Sequence, residues 1–172
     1  ILLHSNSPWC CYDSETEVLT KRGFVLFKDV LPDDEIKTLN PATMQAEWQF
    51  STDDLIVYAL EDEELISIQS QTVDLFVTPN HNLFLGHKVN VYDMVWNIES
   101  AEASYGDPDT YVVTMERDQP VIAHSENFYS KAKYTGNVYC LTVPNHLMLV
   151  RRNGKTCFCG NSSGYGVMTK NL

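Results

Sequence analysis

Residues 157–166 read Cys-Phe-Cys-Gly-Asn-Ser-Ser-Gly-Tyr-Gly, and the apolar periodic pattern of the chain stops just before Asn161. An asparagine followed directly by a hydroxyl residue can do chemistry. The Asn161 side-chain amide can attack its own main-chain carbonyl and close a succinimide, and the Ser162 hydroxyl can carry an acyl group once a base activates it. The other end holds a matching nucleophile. Residues 1–9 differ in character from the rest of the chain, and Cys10 and Cys11 then open a new pattern. A thiol near neutral pH is partly ionised and strongly nucleophilic. Two imidazoles share a setting: "VTPNHNLFL" (77–85) and "TVPNHLMLV" (142–150) each place Pro-Asn-His between apolar runs, ending on His81 and His146. An imidazole titrates near neutrality and suits proton transfer.

Short β-branched or aromatic runs position these groups. Strands are predicted at Thr16–Thr20, Glu35–Leu39, Asp54–Leu60, Glu64–Gln69, Val73–Val77, Thr110–Met115, Asn137–Val143 and Leu147–Arg152. Turn signals separate them at residues 21–23, 32–34 and 40–41, and Asn153-Gly154 between apolar runs marks a two-residue hairpin. The spacing implies an all-β chain. The acidic run Glu61–Glu64 reads as a solvated turn, Ile98–Asp109 as a polar loop, and Ala123–Lys133 as a weak helix. The two Pro-Asn-His stretches are open to two accounts. They are either ordinary turns, since Pro and Asn favour turns, or a duplicated β unit. Two units packed about a pseudo-two-fold axis would bring His81 and His146 toward one centre.

A length of 172 residues is about one domain, enough for a real core. The net charge of −11 argues against nucleic-acid binding, which needs basic residues to displace counterions. No apolar run is long enough to cross a membrane, and Ile1-Leu2-Leu3 is too short for a signal-peptide core. A cytoplasmic monomer is therefore expected. Five cysteines are an odd number, so a fully paired framework would leave one over, and free thiols are expected in a reducing cytosol. Cys157 and Cys159 read either as strand residues on one face or as half of a zinc site with Cys140 and His146; their spacing is not that of usual zinc ligands.

Four stretches together resemble an intein, a self-splicing domain of the Hint superfamily. They are "CYDSETEVLT" from Cys11, Thr78-Pro-Asn-His81, "NVYCLTVPNH" (137–146), and Asn161 followed by Ser162. The resemblance covers residues 11–161 and implies a Hint horseshoe-like fold with pseudo-two-fold related β units. The stretch between His81 and Asn137 is acidic and carries no homing-endonuclease motif, so a mini-intein is implied. Residues 1–10 and 162–172 then become flanks, the chain's own partners in the reaction. Joined, they read "ILLHSNSPWC-SSGYGVMTKNL", similar to the first strand, loop and helix of glycosyltransferases of the two-Rossmann-domain type.

The resemblance implies roles residue by residue. Cys11 attacks the carbonyl of Cys10, and His81 protonates the departing amide nitrogen. Thr78 holds that amide or orients the ring, and Asn80 helps stabilise the oxyanion. Ser162 receives the acyl group, and Asn161 cyclises to release the domain. The chain is both substrate and catalyst, so no cofactor is expected. Two positions depart from the family pattern. The usual penultimate His is Gly160, which passes its task to His146 or solvent, and an expected Asp is Cys140. A thiol at 140 can act as a base when ionised or take the acyl group transiently. Inteins that use a catalytic cysteine there lack an initial cysteine, which this chain has. If Cys140 approaches the upstream junction, a disulfide from Cys10 or Cys140 to Cys11 would remove the attacking thiolate. Two rivals remain: Hint-type cleavage without ligation, and a non-catalytic β-rich module of a glycosyltransferase.

Overall fold

Every strand predicted above contributes to a strand in the computed structural model, which describes residues 10–160. Asn161, residues 1–9 of the upstream flank and the whole downstream flank, Ser162 included, lie outside the described residues. In chain order the strands are β1 (Glu17–Thr20), β2 (Gly23–Leu26), β3 (Glu35–Asn40), β4 (Gln45–Phe50), β5 (Ile56–Gln69), β6 (Asp74–Val77) and β7 (Asn82–Lys88). They continue as β8 (Met94–Ser100), β9 (Asp109–Glu116), β10 (Gln119–Glu126), β11 (Phe128–Cys140), β12 (Leu147–Arg152) and β13 (Lys155–Gly160). One 3-10 turn, Phe27–Asp29, is the sole helical element among the described residues. Among those residues no helix is long and apolar enough to cross a membrane.

All strand pairs are antiparallel and form three sheets. One runs β13-β12-β1-β3-β4 with β2 beside β1, the second β10-β9-β7-β8, and the third β11-β5-β6. The predicted hairpin joins β12 to β13, with Asn153 and Gly154 at φ 48° and 78°, the left-handed pair that a two-residue turn needs to follow strand twist. Inward side chains from all three sheets meet in one large core that includes Tyr12, Val18, Ile36, Ile66, Val77, Leu83 and Met148, with two smaller clusters beside it, one holding Cys11, Leu65 and Cys140 and one holding Phe84, Leu147 and Phe158. Both Pro-Asn-His stretches make the same turn: His81 N–H donates to the Thr78 carbonyl (3.0 Å) and His146 N–H to that of Val143 (3.1 Å). A strand, β7 or β12, begins directly after each histidine.

Two expectations are corrected. Glu61–Glu64 is not a turn but the middle of β5, which pairs with β11 along nearly its whole length. Two residues of β5, Glu61 and Asp62, stand against the single Thr135 between the pairs Tyr134–Glu63 and Gly136–Leu60. Asp62 takes a φ of 52° and its N–H donates to Thr135 Oγ1 at 2.9 Å. A bulge thus lets the ribbon twist while the carboxylates point outward. Ala123–Lys133 is not helical but forms the end of β10 and the start of β11. There the backbone groups are claimed by long-range partners, β9 and β5, which override a weak local preference. Of the expected loop 98–109, Ile98–Ser100 completes β8 and Asp109 opens β9.

The segment just after Cys10 is built into this frame as a bridging strand. Tyr12 exchanges two main-chain hydrogen bonds with Tyr139 of β11 (3.0 and 2.8 Å), and Asp13 N–H donates to Phe76 of β6 (3.2 Å). Arg152 of β12 locks it from a third side. Its guanidinium donates to Asp13 Oδ2 (3.1 Å) and Asp74 Oδ1 (2.8 Å), both carboxylates being buried. Removing one member of such a buried cluster leaves desolvated charge behind. Arg152→Met should therefore cost about 3 kcal/mol of stability, read as a fall in the urea midpoint at unchanged slope.

Candidate functional site

The bridging strand delivers Cys11 to a fixed place. Because Tyr12 pairs antiparallel with Tyr139, the residue before Tyr12 faces the residue after Tyr139, which is Cys140. Their Cα atoms are 4.8 Å apart and the two sulfurs are joined as a disulfide. Of the two bridges to Cys11 raised by the sequence, the structure forms the one to Cys140 and leaves Cys10 free.

The peptide bond between Cys10 and Cys11 lies against the turn after β6. Cys11 N–H donates to Thr78 Oγ1 at 3.1 Å, and Thr78 N–H donates back to the Cys11 carbonyl at 3.2 Å. This reciprocal pair fixes the amide relative to the turn. Cys11, Thr78, Pro79, Asn80, Tyr58 and Glu102 line a cavity of about 290 Å³ beside it. Asn80 thus flanks Cys11, and its carbonyl also accepts from the Cys10 thiol at 3.5 Å. Cys10 Sγ in turn accepts from Asn82 N–H at 3.1 Å. Burial, only partly offset by that Asn82 contact, pushes the Cys10 thiol up to about 12, so it stays protonated at neutral pH and does not rival Cys11 as a nucleophile.

His81 closes the same turn and is fully buried. Its ring stands edge-on to Tyr12, with centroids 4.3 Å apart. Its Nε2 meets Cys159 Sγ of β13 at 3.4 Å. Its Nδ1 is buried with no hydrogen-bond partner among the described residues.

The downstream end comes to the same region through β13. Tyr12 Oη donates to the Gly160 carbonyl at 2.5 Å, so the residue after Cys11 holds the residue before Asn161. Burial, reinforced by the nearby Cys159, raises the Tyr12 phenol well above its usual range, so it remains a donor. Gly160 also packs against main chain: a Cβ there would lie 2.3 Å from the Asn82 carbonyl oxygen. No side chain fits, which is the physical reason the position is glycine. His146 is half-buried with a φ of 65°, and the next residue, Leu147, pairs with Gly160. Each of the two histidines therefore immediately precedes a residue that touches Gly160, Asn82 after His81 and Leu147 after His146. Cys157 and Cys159 are buried strand residues two apart on β13, the face-sharing arrangement the spacing allowed.

Tyr12 and Asn82 were not among the functional candidates in the sequence, and Cys159 stood there only as a strand residue or as half of a zinc site, not as a partner of His81. Tyr12 follows Cys11 directly, which was the one available signal. The other two act through contacts that only folding creates. The steric limit at Gly160 is testable. Gly160→Ala should destabilise by about 1–3 kcal/mol in thermal unfolding. Pairing it with Asn82→Ala should not restore stability, because the obstructing atom is a main-chain oxygen.

No family model matches the chain. Among curated proteins, an ATP-dependent Clp protease proteolytic subunit from Chlamydomonas moewusii is 30% identical over 96 residues, covering 56% of this chain and 9% of that protein. The C-terminal section of a DNA-directed RNA polymerase subunit beta from Stigeoclonium helveticum is 41% identical over 59 residues, 31% of this chain and 5% of that protein. The chain thus spans less than a tenth of these relatives. Among solved structures, a splice-inactive, GSH-linked variant of the AceL NrdHF class 3 split intein superposes with a TM-score of 0.73 at 18% identity, covering 88% of this chain and 98% of that one. A KlbA intein precursor from Methanococcus jannaschii gives 0.66 at 14%, covering 95% and 97%. A bacterial intein-like domain from Clostridium thermocellum gives 0.60 at 16%, covering 87% and 98%. The all-β architecture is the intein, or Hint, fold.

Proposed function

We propose that the chain carries out protein splicing: residues 11–161 excise themselves and join flank 1–10 to flank 162–172. In the first step Cys11 Sγ attacks the carbonyl carbon of Cys10, the C–N bond of that peptide breaks, and His81 gives a proton to the departing nitrogen. A thioester results. Ser162 Oγ then attacks the thioester carbonyl, the Cys11 thiol leaves, and an ester joins the flanks. The Asn161 side-chain nitrogen attacks its own carbonyl, breaks the bond to Ser162, and closes a succinimide. The ester rearranges to a peptide as the freed Ser162 amine attacks it. We read the unit as a mini-intein, and the flanks as parts of a glycosyltransferase host.

The observation that carries this reading is the buried amide of Cys11 held by Thr78, one turn from His81, beside a cavity able to admit the reacting carbonyl. Amide to thioester is uphill in free energy, so a fixed and polarised amide is what the first step requires. The contact from Tyr12 to Gly160 gives the downstream peptide a comparable anchor in place of a penultimate imidazole.

The disulfide makes the first step conditional. With Cys11 bonded to Cys140 its sulfur is not a thiolate, and it cannot form a thioester unless the S–S bond is first broken. A dithiol reductant supplies two electrons and two protons, frees both cysteines and is itself oxidised to a disulfide. The expected outcome is that the chain, expressed between two tags, gives a ligated product and a free 11–161 fragment only when reduced. Cys140→Ser should abolish the response to reductant whatever its residual rate, and Cys10→Ala should keep it. Ser162→Ala should stop ligation and leave cleavage products alone. A reduced, folded chain that stays intact over days, or equal rates with and without reductant, contradicts this account.

A further inference from the structure

We propose that Cys159 is a positioning residue for the upstream step: its sulfur holds His81 by Nε2, so that Nδ1 carries the proton the reaction needs. This rests on the splicing reading above for its purpose, but the contact itself stands apart from it.

The imidazole of His81 is enclosed. Tyr12 packs edge-on against it from the bridging strand, and the Thr78 turn fixes its backbone. From β13, Cys159 Sγ sits 3.4 Å from Nε2 and 3.8 Å from the Asn82 carbonyl oxygen, with 1% of Cys159 exposed. Only Nδ1 is left without a partner among the described residues. A neutral imidazole has one proton for two nitrogens, and the hydrogen bond at one decides which holds it. Here one further proton is shared between sulfur and Nε2. If it stays on sulfur, the thiol donates to Nε2 and Nδ1 keeps the ring proton. If it moves to Nε2, both nitrogens are protonated and the sulfur is a thiolate acceptor. In both arrangements Nδ1 is a donor, which is what protonating a leaving amide requires; a thiol that donates instead to the Asn82 carbonyl, the longer of its two contacts, would leave the ring proton on Nε2.

The surroundings of the sulfur favour the shared state. Burial opposes ionisation of Cys159, but the Cys157 thiol, the His81 ring and the Tyr12 phenol all act the other way and hold it well below the ordinary thiol value. The donor that helps most, Cys157, is itself held well above that value. Two thiols that look alike in sequence are thus distinct groups. This sets an order of events. His81 is fully set only when β13 is docked, and β13 is the strand that leads to Asn161. The upstream chemistry is thereby made to wait for the downstream end.

The test uses the whole 172-residue chain, reduced, carrying Asn161→Ala and labelled with ¹⁵N-histidine. His81 is assigned by loss of its signals in His81→Gln. Ring ¹⁵N–¹H correlations should show a proton on Nδ1 in the parent chain. Cys159→Ala should shift it to Nε2 and slow thiol-induced release of the upstream flank by about tenfold. Cys159→Ser, whose hydroxyl can also donate to Nε2, should restore Nδ1 protonation and most of the rate. A parent chain with His81 protonated on Nε2 alone overturns the proposal, as does a folded Cys159→Ala chain with unchanged tautomer and rate. If the parent releases no upstream flank, the splicing reading fails while the ring spectrum still decides the role of Cys159. If Cys159→Ala does not fold, the parent and Cys159→Ser spectra decide it.

Discussion

The site depends on one short piece of chain being treated as a strand. Residues 11–13 lie between β11 and β6 and hydrogen-bond to both. Main-chain pairing has a fixed repeat, so fixing Tyr12 against Tyr139 also fixes where Cys11 must point. The disulfide to Cys140, the hold of Thr78 on the Cys11 amide, and the reach of the Tyr12 phenol to Gly160 all depend on that register. A slip of one residue would turn Cys11 away and bring Tyr12 out of the core.

The electrostatics of the region are arranged in layers. At its rim, the Arg152 cluster neutralises two buried carboxylates and ties three parts of the chain together. Further in there are few formal charges and several weak acids: three thiols, a phenol and an imidazole. Weak acids in a low-dielectric pocket respond strongly to one another, because no water screens them. The opposite displacement of Cys157 and Cys159 is an example: each acts on the other, burial adds to the upward shift of Cys157, and burial opposes the downward shift of Cys159. The acidic surplus of the chain sits elsewhere, as in the bulged middle of β5.

The sequence made the strands legible wherever local pattern and tertiary role agree. β1, β3, β6, β9 and β12 have short β-branched runs bounded by turn residues, and the Asn153-Gly154 hairpin has the residue types its backbone demands. It misled where pairing overrides composition. An acidic tetrapeptide makes a poor isolated strand, yet β11 pairs with it, and a stretch with modest helical character is held flat by β9 and β5. Cys11 as a candidate nucleophile, the Thr78–His81 turn and Gly160 as an unusual position were readable from residue type and order. The contacts of Tyr12 with Gly160 and of Cys159 with His81 join residues 148 and 78 apart, and no local signal announces them.

The bridge between residues 11 and 140 also changes what the molecule is as a covalent object. It closes a ring of chain 129 residues in span, and the tip between β7 and β8, with Tyr92 almost wholly exposed, lies inside that ring. Opening the backbone at the tip would leave two polypeptides that still migrate as one body until thiol is added. Fragments made this way would stay paired without any affinity between them, and their separation would be a chemical event rather than a dilution.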